Sequence, residues 1–368
     1  MSRIFVLGSG AWGTALALSL DRRGGHQVTL WAHSAEFARQ IADAGENTQF
    51  LPGFPIPRSI PVTGDCEAVA DAEIVLSVVP SEFLRPTMVR LSPYLHPGQI
   101  VVSATKGVED HTFLRMTEVI AGSLAKETAA EPAPLLLELP GIDLPTPDLM
   151  EFETPGPSRA GLQLPVGALS GPSFALEVAQ SMPTAITVAF TDPEIAAYIQ
   201  REFSSASLRL YTSTDVIGVE LGGALKNVIA IAAGVASGVG RGYNSAAALM
   251  TRGIAEITRL AVACGGRRET LAGLSGIGDL MLTCTGSLSR NRSVGVELGH
   301  GRALSDILAG LGGKVAEGVL TTRAALGLAR RHGIEMPIAE QMELILDEGK
   351  DPREAIKELM LRPGKDEH

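Results

Sequence analysis

Cysteine is scarce in this sequence: 368 residues contain three, and Cys66, Cys264 and Cys284 lie far apart without a CxxC pair. That excludes a disulfide framework, and none of the seven histidines stands at metal-ligand spacing from a cysteine or from another histidine. Neither structural zinc nor a catalytic metal is expected, and thiols used so sparingly suit a reducing cytoplasm. Positive charge is also in deficit, because 31 Lys and Arg against 41 Asp and Glu give a formal net charge of -10. Lacking a basic footprint, the chain is not expected to bind nucleic acid, and any anionic ligand has to be held by a local basic pocket. No uninterrupted run of 18 or more apolar residues occurs, so no membrane-spanning segment is expected. The opening MSRIFVLGSGAWGTALALSL places Arg3 before an apolar stretch, as a secretory signal does, but its glycines have another use.

What is present is ordinary for a folded protein of two domains, with 45% hydrophobic and 20% charged residues. Over the first 130 residues short apolar runs alternate with amphipathic stretches, the pattern of a parallel sheet covered by helices. Strands are predicted at 4–8, 28–31, 73–79 and 100–104, and helices at 11–23, 34–44 and 82–91. From Glu131 to Val166 eight of the 22 prolines fall within 36 residues, which defeats helix and central strand alike. This segment is expected to be a loop or insertion, with LLLEL (135–139) as a short edge strand. Alternation resumes with a strand at 185–190, a helix at 193–203 and a strand at 208–211. After Asp215 strand signals nearly vanish and Ala, Gly, Leu and charged residues recur at helical spacing. The expected fold is an α/β domain with a mostly parallel sheet over 1–212, followed by an all-α domain over 213–368. The glycine excess in the second part predicts close approach of helix backbones.

GSGAWG (8–13) fits GxGxxG, follows the first strand and opens the first helix, the context that gives this short motif weight. Gly8 permits the tight turn, Gly10 lets backbone approach a pyrophosphate, and Gly13 lets the helix lie against the strand. The unpaired N–H groups of the helix start would then hold the diphosphate of a dinucleotide. About 20 residues on, where an acidic residue would meet the ribose hydroxyls of NAD, this chain has His33. The missing carboxylate removes repulsion from a 2'-phosphate, and His33 with Arg39 would attract one, so NADP(H) is the preferred cofactor. Glu36 lies close enough to keep NAD(H) open.

Lys226 sits in GVELGGALKNVIAIAAG (218–234), with Gly222 and Gly223 one turn behind it and Ile229 and Ala230 ahead. Two readings stand side by side: a snorkelling lysine whose stem lies on apolar surface, or a desolvated acid or base. SATKGV (103–108), LSGPSFALEVA (169–179), GLSGIGDLMLTC (273–284) and SLSRNRSVG (287–295) likewise combine small residues with isolated polar ones. In each, backbone and a polar side chain can approach a ligand together. Lys106 follows a predicted strand, and two readings of it stand: a side chain projecting at the carboxyl edge of the sheet, where ligands of such sheets bind, or a solvated lysine at a turn.

Taken in order, GSGAWG, NTQFLPG (47–53), SATKGV, GPSFALEVA, GVELGGALKN, GLSGIGDL, SRN and VAEGV (315–319) resemble the bacterial NAD(P)-dependent glycerol-3-phosphate dehydrogenases. The resemblance spans nearly the whole chain except the proline-rich segment, which is longer than the family pattern. It implies a Rossmann-like domain followed by a helical substrate domain, and reversible reduction of dihydroxyacetone phosphate for glycerophospholipid synthesis in the cytoplasm. Lys226 is then the proton donor and acceptor. Lys106, Gly171, Ser173, Asp279, Ser289, Arg290 and Asn291 match substrate positions, Lys106 and Arg290 lying also near the cofactor. Ser9, Trp12, His33, Ala175, Val315 and Glu317 match cofactor positions. A homodimer is implied at family level. The alternatives are a related β-hydroxyacid dehydrogenase, whose substrate carries a carboxylate in place of the phosphate, and a redox sensor that binds NADPH without chemistry.

Overall fold

The computed structural model describes residues 1–125, 161–310, 317–364 and 366. They form two compact units, Met1–Thr105 with Thr117–Gly167, and Lys106–Met116 with Ala168–His368. The first unit holds β1 (Ser2–Leu7), β2 (His26–Trp31), β3 (Val62–Thr63), β4 (Ile74–Ser77), β5 (Ile100–Ser103) and the start of β6 (Val166–Ser170). Their order is β3-β2-β1-β4-β5-β6, and the pairs from β3 to β5 are parallel. In the second unit the rest of β6 runs antiparallel to β7 (Thr184–Ala189), which is parallel to β8 (Leu208–Ser213).

Strands covered on both faces read as continuous apolar runs. In β1, Ile4, Phe5, Val6 and Leu7 are all buried. Crossovers are made by α1 (Ala11–Arg23), α2 (Ala35–Ala44) and α3 (Ser81–Leu91), followed by α4 (Met116–Ala125). Each expected strand and helix of the described residues is present. In the first unit three elements lacked a readable signal: β3 is two residues long, β6 (VGALS) is mostly small residues beside the proline-rich stretch, and α4 follows a turn without a strong cap. The LLLEL strand expectation and most of the proline-rich segment lie outside the described residues.

The second unit continues with α5 (Ala175–Ala179), α6 (Pro193–Phe203), α7 (Val216–Gly238), α8 (Tyr243–Ala263), α9 (Arg268–Leu271) and α10 (Asp279–Thr285). It closes with α11 (Arg290–Gly299), α12 (Leu304–Ala309), α13 (Glu317–His332), α14 (Pro337–Asp347) and α15 (Pro352–Met360). Helix α7 is its axis. Every residue from Gly218 to Ala236 is buried, as a helix apolar on all sides requires. By length and composition α7 is apolar enough to cross a bilayer, but here it is wrapped by α8, α10, α11 and α13. Its first turn is capped by Asp215, whose Oδ1 accepts the Gly218 N–H at 2.9 Å. The other oxygen of Asp215 accepts from the Arg267 N–H at 2.8 Å and the Thr270 hydroxyl at 2.6 Å, tying α9 to the same end. Against α11 the backbones nearly touch: a Cβ on Gly234 would collide with the Arg292 carbonyl, and one on Gly295 with the Ile231 carbonyl. These two contacts are what the glycine excess foretold.

Candidate active site

In the first unit the turn after β1 has the geometry of a diphosphate cradle. Gly8 takes φ 122°, a conformation side chains rarely adopt, and its α-carbon faces the Val78 backbone so closely that a Cβ would stand 3.0 Å from it. A Cβ on Gly13 would strike the Gly8 carbonyl, so α1 lies directly on the turn. Gly10, by contrast, faces open space with nothing within 4 Å of a Cβ position. Beside that opening the first-turn N–H groups of α1 have no intrahelical partner. The residues present therefore fit a dinucleotide diphosphate. Asn47, of the NTQFLPG stretch, holds the turn from beneath: fully buried, it donates to the Ser9 carbonyl at 2.7 Å and to the Thr14 hydroxyl at 2.9 Å. Trp12 is half-buried on the first turn of α1.

His33 is exposed just beyond β2, its ring 5.4 Å from Phe37. Partial burial and then the nearby Arg90 guanidinium lower its pKa, so at neutral pH the imidazole is mostly uncharged. The permanent positive charge here belongs to Arg90 of α3, whose guanidinium carbon lies 5.8 Å from the Trp31 ring centroid. Sequence reasoning missed Arg90, because only the fold brings it near a residue almost sixty positions earlier.

The second unit brings together Lys106, Lys226, Asp279 and Thr283. Lys226 is buried on α7, and its ammonium donates to Asp279 Oδ1 and, at 2.8 Å, to Thr283 Oγ1. The other oxygen of Asp279 accepts from Lys106 Nζ at 2.8 Å. Asp279 is wholly inaccessible, so one carboxylate serves two lysines away from water. Thr283 stands one turn beyond Asp279 on α10, and its hydroxyl donates a hydrogen bond to the Asp279 carbonyl at 2.7 Å. Its oxygen is thereby aimed at Lys226. Desolvation lowers the Lys226 pKa from 10.5 to about 8, with Asp279 pulling it back up and Lys106 pushing it further down. Of the two sequence readings of Lys226, snorkelling is excluded. Leu274–Gly278, just before Asp279, is a π-helical turn, a form frequent at functional sites.

Around this cluster the other candidates divide by role. Ser289 caps α11, its Oγ accepting the Arg292 N–H at 3.2 Å, which leaves its O–H free to donate. Asn291 Oδ1 accepts the Gly318 N–H at 3.0 Å, and a backbone donor at that position fixes which end of the amide is oxygen. Its NH2 remains. Arg290 is exposed and, among the described residues, has no ion-pair partner. All three thus keep at least one donor in reserve, which is what an anion needs. Ser173 donates to the Gly171 carbonyl at 3.2 Å, and Ala175 opens the short helix α5.

Glu317 accepts from Asn227 at 3.4 Å; burial raises its carboxyl pKa against the pull of Arg290, Lys106 and Lys226. Val315 lies outside the described residues. Cys284, buried near Lys226, is pushed by burial up to about 12 and stays a neutral thiol. Among the described residues no group of His, Cys, Asp or Glu side chains is arranged to hold a metal ion.

Two family models match the chain, NAD-dependent glycerol-3-phosphate dehydrogenase N-terminus over residues 3–131 and 158–196 and the corresponding C-terminus over 215–357. A glycerol-3-phosphate dehydrogenase [NAD(P)+] of Acidobacterium capsulatum is 55% identical over 371 residues, covering 100% of both chains. One of Koribacter versatilis is 54% identical over 99% of this chain and 98% of its own. A crystal structure of glycerol-3-phosphate dehydrogenase from Coxiella burnetii superimposes with TM-score 0.84 at 34% identity, covering 98% of this chain and 99% of that one.

Proposed function

The chain belongs to the NAD-dependent glycerol-3-phosphate dehydrogenases, and from that premise we propose that it interconverts dihydroxyacetone phosphate and sn-glycerol 3-phosphate with Lys226 as acid and base. The observation that carries the assignment is the buried ammonium itself. Two of its three N–H bonds are spent on Asp279 and Thr283, which leaves one to point at a substrate oxygen. With a pKa of about 8 the amine is mostly protonated at neutral pH yet close to giving its proton up, so it serves reduction as acid and oxidation as base.

Bound NADH or NADPH supplies the hydride, which leaves negative charge on the ketone oxygen. Lys226 donates its proton to that oxygen. Asp279 orients Lys226 and Lys106 together, and Lys106 adds a second positive charge beside the developing oxyanion. For the phosphate, Arg290 offers a planar fork, the Ser289 O–H and Asn291 NH2 the remaining donors. Holding the phosphate fixes where the carbonyl lies relative to Lys226. Gly171 and Ser173 complete the substrate site.

The Gly8, Ser9, Gly10, Trp12 and Gly13 turn holds the cofactor diphosphate, with Ala175, Val315 and Glu317 as further cofactor contacts. NADPH is the preferred form, its 2'-phosphate met by Arg90 and His33. In this reading residues 1–212 supply most of the cofactor contacts and 213–368 most of the substrate contacts, with Lys106, Gly171 and Ser173 crossing to the substrate and Val315 and Glu317 to the cofactor. A cytoplasmic homodimer is the proposed working form, checked by light scattering of the purified chain.

The deciding experiment replaces Lys226 with Met, which keeps the length of the stem and removes the amine. Turnover is expected to fall about 10²- to 10⁴-fold, the worth of general acid catalysis, while NADPH affinity measured by fluorescence stays within about twofold. Near-normal turnover in Lys226→Met rejects the acid-base role.

A further inference from the structure

A cavity of about 720 Å³ opens in the second unit against α8, α9 and the π-helical turn, a size within the ordinary range of small-molecule sites. Three arginines converge on it, Arg252, Arg259 and Arg268. In a chain of net charge -10 that is a marked local excess of positive charge. Among the described residues neither Arg252 nor Arg268 is paired with a carboxylate. Arg259 is partly answered, donating to the Glu335 carbonyl at 3.2 Å and lying near enough to the buried Glu256 to influence it. Leu271, Ile254 and Ile277 make an apolar floor. Asp366, near the end of the chain, is the one acidic residue of the lining among the described residues, against three arginines.

These two features select the same ligand class. A bare phosphate would satisfy the guanidinium forks but leave the floor wet, and an uncharged hydrocarbon would cover the floor but desolvate arginines without pairing them. We propose that the cavity binds an amphipathic anion, a phosphate or carboxylate head on a hydrocarbon tail, and that its occupancy is felt at Asp279. The link is covalent and short: Ile277 is both a wall of the cavity and the second residue before Asp279, inside the π-helical turn. A tail packed on Leu271 and Ile277 braces that turn and so biases the carboxylate that holds Lys106 and Lys226.

The test is isothermal titration of the full chain with octyl phosphate and octanoate below their micelle concentrations, with inorganic phosphate and 1-octanol as controls. Saturable binding of at least one octyl anion is expected, at least tenfold tighter than either control. Two octyl arms distinguish the head groups. Arg252→Gln with Arg268→Gln should weaken it tenfold or more. Ala272→Phe, which fills the cavity while keeping its charge, should weaken the octyl anions but not inorganic phosphate. Arg290→Ala should leave the affinity unchanged, separating this site from the proposed substrate clamp. A saturating octyl anion should also change kcat at least twofold in the parent chain and not in the double variant. No saturable binding, binding indifferent to both cavity variants, or binding lost in Arg290→Ala overturns the site; binding without any change in kcat overturns its link to Asp279.

Discussion

Replacing Asp279 with Asn is the most searching perturbation of the proposed chemistry, since the side chain keeps its shape while losing its charge and one of its two acceptor oxygens. In the parent chain the carboxylate takes one ammonium on each oxygen and is shielded from water. It raises the Lys226 pKa against desolvation and against Lys106. An opposite charge at such range moves a pKa by about one to three pH units, so its removal should carry Lys226 from about 8 down to between about 5 and 7. Reduction of dihydroxyacetone phosphate needs the protonated amine, so its rate falls as pH rises through that pKa. If the drop is about two pH units, the protonated fraction at pH 7 goes from about nine-tenths to about one-tenth. That alone costs about tenfold in kcat/KM, recoverable by assaying nearer pH 5. Breaking a buried pair from one side also costs stability, about 3–5 kcal/mol, so folding is checked first by denaturant melts. The assay is kcat/KM for reduction followed at the nicotinamide absorbance from pH 5 to 10 in both proteins. An active Asp279→Asn enzyme whose rate turns down at the same pH as the parent refutes the reasoning, because a merely structural carboxylate lowers the rate at every pH without moving the inflection.

Arg290→Ala should raise KM for dihydroxyacetone phosphate about 10- to 100-fold, on the scale of a lost charge-assisted hydrogen bond, while leaving the slow reduction of unphosphorylated dihydroxyacetone unchanged; equal losses on both substrates contradict the clamp. Arg90→Ala should lower the NADPH to NADH ratio of kcat/KM about fivefold or more, with NADH kinetics nearly unmoved; an unchanged ratio removes Arg90 from cofactor selection. Glu256, whose carboxylate accepts the Ile338 N–H at 3.0 Å, is raised by burial from 4.5 to about 7. A raised folded-state pKa contributes stability that is full below about 4.5 and is lost as pH climbs through about 7, a swing of about 3 kcal/mol. Glu256→Gln should therefore melt at least as high as the parent at pH 8 and show a flatter stability profile between pH 4.5 and 7. A parent profile already flat there would count against the assignment.

Much of the fold was readable because its signals are local. The apolar runs of β1, β2, β4 and β5 and the glycines at 8, 10 and 13 each announce a structure within a few residues of themselves. Lys226 was visible as an anomaly, a charge among Gly, Ala and Ile, though whether it was desolvated depended on what surrounds α7. The residues that escaped notice act across long stretches of chain. Thr283 becomes a partner of Lys226 only when α10 packs on α7, Asn47 only when its loop folds under the GSGAWG turn, and Arg90 only when α3 lies near Trp31. Asn291 was matched to a substrate position; that the Gly318 N–H claims its amide oxygen is a backbone bond that no side-chain pattern encodes.

The contact between Gly234 and Gly295 turns α7 and α11 into the two jaws of a gauge. Lys226 stands on one jaw two turns before the contact, Ser289, Arg290 and Asn291 at the start of the other. Because the jaws meet backbone to backbone, with no pliant side chain between them, the span from the proposed proton donor to the proposed phosphate anchors is set by main-chain geometry. A methyl group at either glycine would spread the jaws and mistune the gauge for a three-carbon substrate, leaving every reactive group intact.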